Sequence, residues 1–88
     1  MDSTVRKQTL KRLNYVSGHV EGIKKMVQED RYCVDVLKQS YAVRKALEKM
    51  EALLLEGHLQ TCVVDGIRSD NESQVIEELM ELYRQAGR

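Results

Sequence analysis

The sequence predicts an all-α fold, a three-helix protomer that assembles with further copies of itself. Three observations point there: helical apolar stripes run along most of the chain, no strand signal occurs, and Trp, Phe and Pro are absent. The core must therefore come from aliphatic residues, Met and four Tyr, which suits helix on helix. At 88 residues the chain forms one domain, 1–88, and a lone copy buries only about 60 to 65 % of the surface its unfolded form exposes. Assembly with further copies supplies the missing burial.

The first helix is expected at about 3–28, because Leu13, Val16, Val20, Ile23 and Val27 recur at alternating spacings of three and four. Glu29-Asp30 interrupts the pattern, and Asp30 is read as the N-cap of a second helix beginning at Arg31. That helix is expected over about 31–64, carried by Val36, Val43, Leu47, Met50 and Leu54, with Gly57 its only weak former. Asp65-Gly66 is read as its end. Ser69-x-x-Glu72 has capping-box spacing, and Val75, Ile76, Leu79, Met80, Leu82 and Tyr83 form the apolar face of a third helix over about 71–86. Core packing is the plain reading of all three stripes.

Charge is balanced overall but not along the chain. Residues 1–28 carry six basic groups against two acids, net +4, whereas residues 65–88 carry six acids against three arginines, net −3. The basic end is suited to phosphate. No apolar run has the length of a signal peptide or a membrane span, so a cytoplasmic location is expected. Two cysteines outside any Cys-x-x-Cys motif make no disulfide framework and are expected as reduced thiols.

The chemistry lies in those thiols and one imidazole. His58 and Cys62, four residues apart on a helix, project from one face and can share an ion. Cys33 sits 25 residues before His58, about 37 Å along a helix, so it cannot join them within its own chain. Antiparallel pairing of two second helices, crossing near Ala46 and Leu47, brings Cys33 of one copy beside His58 and Cys62 of the other and creates two equivalent sites. Two thiolates and one imidazole form a soft three-donor set that favours Cu(I) over Zn(II), nickel or cobalt. Cys33 falls in the first turn of its helix. For His19, which has no companion ligand, a structural role is expected. No nucleophile–base pair or carboxylate pair stands out, so an enzyme is not expected.

Arg31-Tyr32-Cys33-Val34-Asp35-Val36-Leu37 and Gly57-His58-Leu59-Gln60-Thr61-Cys62-Val63 resemble the CsoR/RcnR family of metal-sensing transcriptional repressors. Arg12-Leu13, Gly18-His19-Val20-Glu21-Gly22-Ile23 and Ile76-Glu77-Glu78-Leu79 extend the resemblance over nearly the whole chain. It implies an antiparallel dimer, a dimer-of-dimers tetramer, and binding of operator DNA that is lost when the inducer binds. It also implies copper ligands at Cys33, His58 and Cys62, with Tyr32 and Glu78 as partners of the histidine. DNA contacts would fall on Arg12 and Lys49, supported by Lys7 and Lys11. Lys49 stands where the family usually has Arg, and Ser40-Tyr41-Ala42 departs from the usual apolar residue followed by Ser.

The resemblance also speaks to the inducer. Nickel, cobalt and formaldehyde sensors of the family use an N-terminal His or Pro that Met1-Asp2-Ser3-Thr4-Val5 lacks, and the persulfide branch lacks the histidine present here as His58. The copper-sensing branch is therefore expected. The alternatives are a persulfide or thiol sensor using Cys33 and Cys62, and a copper-buffering protein that does not bind DNA.

Overall fold

A computed structural model describes residues 1–87 of the chain. Its elements are α1 (Ser3–Gln28), α2 (Cys33–His58), a π-helical turn (Leu59–Val63), α3 (Val64–Arg68) and α4 (Glu72–Ala86). The backbone stays helical through His58, Leu59, Val63 and Val64. Residues 33–68 thus form one continuous rod, about 54 Å long at 1.5 Å per residue, close to the 56 Å extent of the protomer.

α1 occupies its expected span. Asp2 caps it, the carboxylate accepting from the Thr4 amide at 3.3 Å. Its far end closes differently from the sequence reading. Asp30 is no N-cap: it adopts a left-handed φ of 54°. The Arg31 amide bonds back to the Met26 carbonyl at 3.0 Å, the six-to-one bond of a Schellman closure. Helix α2 consequently starts at Cys33 rather than Arg31, after Tyr32.

The second turn repeats the device. Asp70 has φ 59°, and the Asn71 amide reaches the Gly66 carbonyl at 2.8 Å. Aspartate visits this region more readily than most residues because its short polar side chain can hydrogen-bond locally and offset part of the Cβ strain. The helix therefore ends at Arg68, not at Asp65-Gly66. Gly66 acts as a packing residue instead: a Cβ there would overlap Cγ2 of Val75, so the missing side chain is what lets α4 fold back on α3. The capping box is not formed, since Ser69 closes α3 and the residue before α4 is Asn71, which makes no side-chain cap bond.

Helices α1 and α2 pack as an antiparallel hairpin, pinned by His19 Nε2 against Gln39 Oε1 at 2.6 Å. Tyr15 meets the His19 ring edge-on at 5.7 Å. His19 thus has the structural role expected of it. The apolar stripes are only partly satisfied. Val16, Val43, Val63 and Val75 are the buried hydrophobic residues among those described, while Val20, Val27, Ile76 and Tyr83 stay 46 %, 59 %, 60 % and 73 % exposed. The radius of gyration is 17.3 Å, against about 12 Å for a compact domain of this length. The protomer is an open slab, 14 Å in its thinnest direction, with much of its apolar face uncovered.

Candidate metal centre and nucleic-acid interface

The rod holds Cys33 at its first residue and His58 and Cys62 far along it, toward the other end. Cys33 is the first residue of α2, exposed and free. His58 ends α2 and Cys62, also exposed and free, lies in the π turn. Their four-residue spacing keeps them on one face, since four residues complete slightly more than one α turn and slightly less than one π turn.

Both line a cavity of about 230 Å³, together with Met1, Asp2 and Val5 from the N-terminal turn and Leu54, Gly57 and Thr61 from the rod. Gly57 makes the close approach possible. It is buried, and a Cβ there would lie 3.0 Å from Val5 Cγ2. The π turn follows at once. Thr61 donates its hydroxyl to the Gly57 carbonyl at 2.8 Å, back-bonding of the kind that bends helices. Such π turns recur at functional sites. Apolar periodicity gives no sign of this one, and its only trace in the sequence is a Thr four residues after a Gly.

Cys33 does not reach this cavity. A continuous α-helix of 26 residues separates it from His58, about 37 Å by helical rise. Among the described residues, no group of three His, Cys, Asp or Glu side chains converges on a metal-sized site. Tyr32 stands beside Cys33 and is largely exposed. His58 also borders a second groove, of about 700 Å³, walled by Leu54 and Leu55 on one side and by Leu82, Gln85 and Ala86 of α4 on the other. Glu78 lies one helical turn before Leu82 on that face of α4, outside the groove's lining.

On the hairpin, Gln8, Lys11, Arg12 and Tyr15 from α1 face Ala42, Lys45, Ala46 and Lys49 from α2 across an open groove of about 640 Å³. Each helix contributes positions i, i+3, i+4 and i+7, one continuous face. Four cations line it, no acid does, and the two alanines keep its floor low. Lys11, Arg12 and Lys49, named from the family resemblance, are among its lining residues, and Lys7 falls outside the lining. Lys45, Gln8 and Tyr15 go unmarked in the sequence reading, although Lys45 is one helical turn from Lys49 and spacing alone could have found it.

A family model described as the metal-sensitive transcriptional repressor matches residues 5–85. The chain belongs to that repressor family. Relatives in it include the copper-sensing transcriptional repressor CsoR of Bacillus subtilis strain 168, 42 % identical over 82 residues, covering 93 % of this chain and 81 % of the relative. CsoR of Mycobacterium tuberculosis strain H37Rv is 40 % identical over 79 residues, covering 90 % of this chain and 66 % of that protein. Among solved structures, the copper-sensing repressor CsoR with Cu(I) from Geobacillus thermodenitrificans NG80-2 superposes with a TM-score of 0.93 at 35 % identity, covering 100 % of this chain and 92 % of that one. The nickel-responsive transcriptional regulator InrS gives 0.75 at 37 % identity, over 90 % and 89 % of the two chains. A regulatory role, not a catalytic one, is what this repressor family implies, and no described helix is long and apolar enough to cross a membrane.

Proposed function

We propose that this chain is a cytoplasmic copper(I)-responsive repressor, a single domain that binds operator DNA through the basic α1/α2 groove and releases it when copper occupies a site shared between two copies. The observation that carries the reading is the split ligand set. His58 and Cys62 share one cavity in the far half of a continuous rod, and Cys33 stands at its first residue. Antiparallel pairing of two rods completes two identical sites and covers apolar surface that one protomer leaves open.

The donors suit the ion. Two exposed, unpaired cysteines and an imidazole give a soft set for Cu(I), which would bring the charge that ties both chains together. Cys33 of one copy, with His58 and Cys62 of the other, are the proposed ligands. Tyr32 and Glu78 are the proposed orienting partners of His58, Tyr32 through its place beside the incoming cysteine and Glu78 through α4. On the DNA side, Lys11, Arg12, Lys45 and Lys49 would meet phosphates, and Lys7 would add to the positive field.

Complementation tests the shared site. Cys33→Ala chains and His58→Ala/Cys62→Ala chains are each expected to bind no stoichiometric Cu(I), whereas their equimolar mixture regains one site per mixed dimer in competition with a chromogenic Cu(I) chelator. If Cys33→Ala alone keeps one copper per chain, the shared site is wrong.

A further inference from the structure

Thr61 lines the same cavity as Cys62 and the N-terminal residues Met1, Asp2 and Val5. Its Oγ1 lies 2.8 Å from the Gly57 carbonyl oxygen and 3.7 Å from Cys62 Sγ. A hydroxyl has a single proton, so it donates to one of these acceptors at a time, and rotation about the Cβ–Oγ1 bond exchanges them without moving a heavy atom.

The charge on sulfur decides between them. A neutral thiol is a weak acceptor, and against it the carbonyl holds the proton. A metal-bound cysteine is a thiolate, and hydrogen bonds to ionised acceptors are roughly twice as strong as neutral ones. We propose that Thr61 is a positioning residue of the switch: when Cys62 takes the metal, the Thr61 hydroxyl turns from the Gly57 carbonyl to Sγ. The helix then loses a back-bond that bends it. This rests on the copper reading of Cys62.

The consequence travels through the packing of Gly57 on α1. The π turn begins two residues after Gly57, so the rod has slack there. Gly57 packs directly on Val5, with a distance of only 3.0 Å between a would-be Cβ and Val5 Cγ2. Val5 lies one turn before Gln8 and two turns before Arg12, both on the groove. A change of bend at Gly57 therefore pushes on the helix that carries half of the basic surface. The two-state element is the hydroxyl, and the packed path is Thr61, Gly57, Val5 and α1.

The test uses the full chain, Cu(I) under anaerobic conditions, a chromogenic Cu(I) chelator as competitor, and a fluorescent duplex from the region upstream of the coding sequence. Thr61→Val keeps the shape and removes the proton. It lacks the back-bond with or without copper, so its apo form is expected to bind DNA more weakly than the parent's, which takes away about tenfold of the copper-induced drop in DNA affinity, and it is expected to bind Cu(I) about tenfold more weakly. Thr61→Ser restores both, which a merely structural threonine would not require. Should Thr61→Val lose its helical circular dichroism, Thr61→Ala is read in its place. Val5→Ala/Thr61→Val is expected to lose no more release than the worse single variant, because both act on one path. Parent-like copper affinity and release in Thr61→Val, or fully additive losses in the double variant, overturn the proposal. A parent chain that binds no copper overturns the copper reading and this proposal with it.

Discussion

Replacing Lys45 with Gln removes one of the four cations that line the α1/α2 groove. Each phosphate neutralised by a protein cation contributes about 0.9 to the slope of log K against log salt on duplex DNA. With two protomers on the duplex, the substitution leaves two phosphates without their cation and flattens that slope by about 1.8. Between about 0.05 and 0.2 M salt each such phosphate reduces the fall in affinity by about 3.5-fold, so the pair reduces it by about 12-fold. Fluorescence anisotropy of a labelled operator over that salt range reads the slope directly. Lys25→Gln is the control, since Lys25 lies on α1 in a separate shallow depression with Glu21, Gly22, Lys24 and Gln28. A Lys45→Gln slope that changes no more than the control's would refute the groove as the surface that meets DNA.

Gly66→Ala sets an overlap with Val75, worth about 1–3 kcal/mol, against a helix-propensity gain of about 1 kcal/mol. The net cost centres on about 1 kcal/mol, so its melting temperature is expected to fall by about 4–8 °C, with relief in Gly66→Ala/Val75→Ala; a rise would show that α4 does not pack on α3 through this glycine. Asp70→Gly removes a left-handed strain and is expected to add up to about 1 kcal/mol in urea unfolding, whereas Asp70→Val subtracts about 1–2 kcal/mol. The uncovered apolar face makes stability depend on assembly: the melting temperature should rise by several degrees between about 1 and 100 µM protein, and a constant value would mean that a lone protomer is self-sufficient.

Much of the fold is legible in the sequence because helical periodicity is a local signal. The α1 stripe from Leu13 to Val27 sets that helix to its observed bounds, and the run from Val36 to Leu54 identifies the long rod. The turns differ from the sequence reading for a physical reason. Asp30, Asp65 and Gly66 are residue types with several uses, and which one holds depends on surroundings elsewhere in the fold. Asp30 closes α1 instead of opening α2, and Gly66 makes room for Val75 instead of ending a helix.

Of the site, the pairing of His58 with Cys62 and the remoteness of Cys33 follow from spacing and helical rise alone. The N-terminal turn's arrival at Gly57 and the π turn do not, because both arise from tertiary packing and backbone geometry that no residue pattern encodes. Charge counting along the chain marks the α1 end as basic, and Lys11 and Arg12 of α1 do line the basic groove. It does not show that α2 contributes half of the groove, since Lys45 and Lys49 lie in a stretch where acids balance them in sequence but point elsewhere in space.

Copper and DNA are joined in one titration. Reduced protein bound to its fluorescent operator is titrated anaerobically with Cu(I) while anisotropy is followed. Release is expected to be complete at one copper per protomer, with no release in Cys33→Ala. DNA that stays bound at full copper occupancy would contradict it.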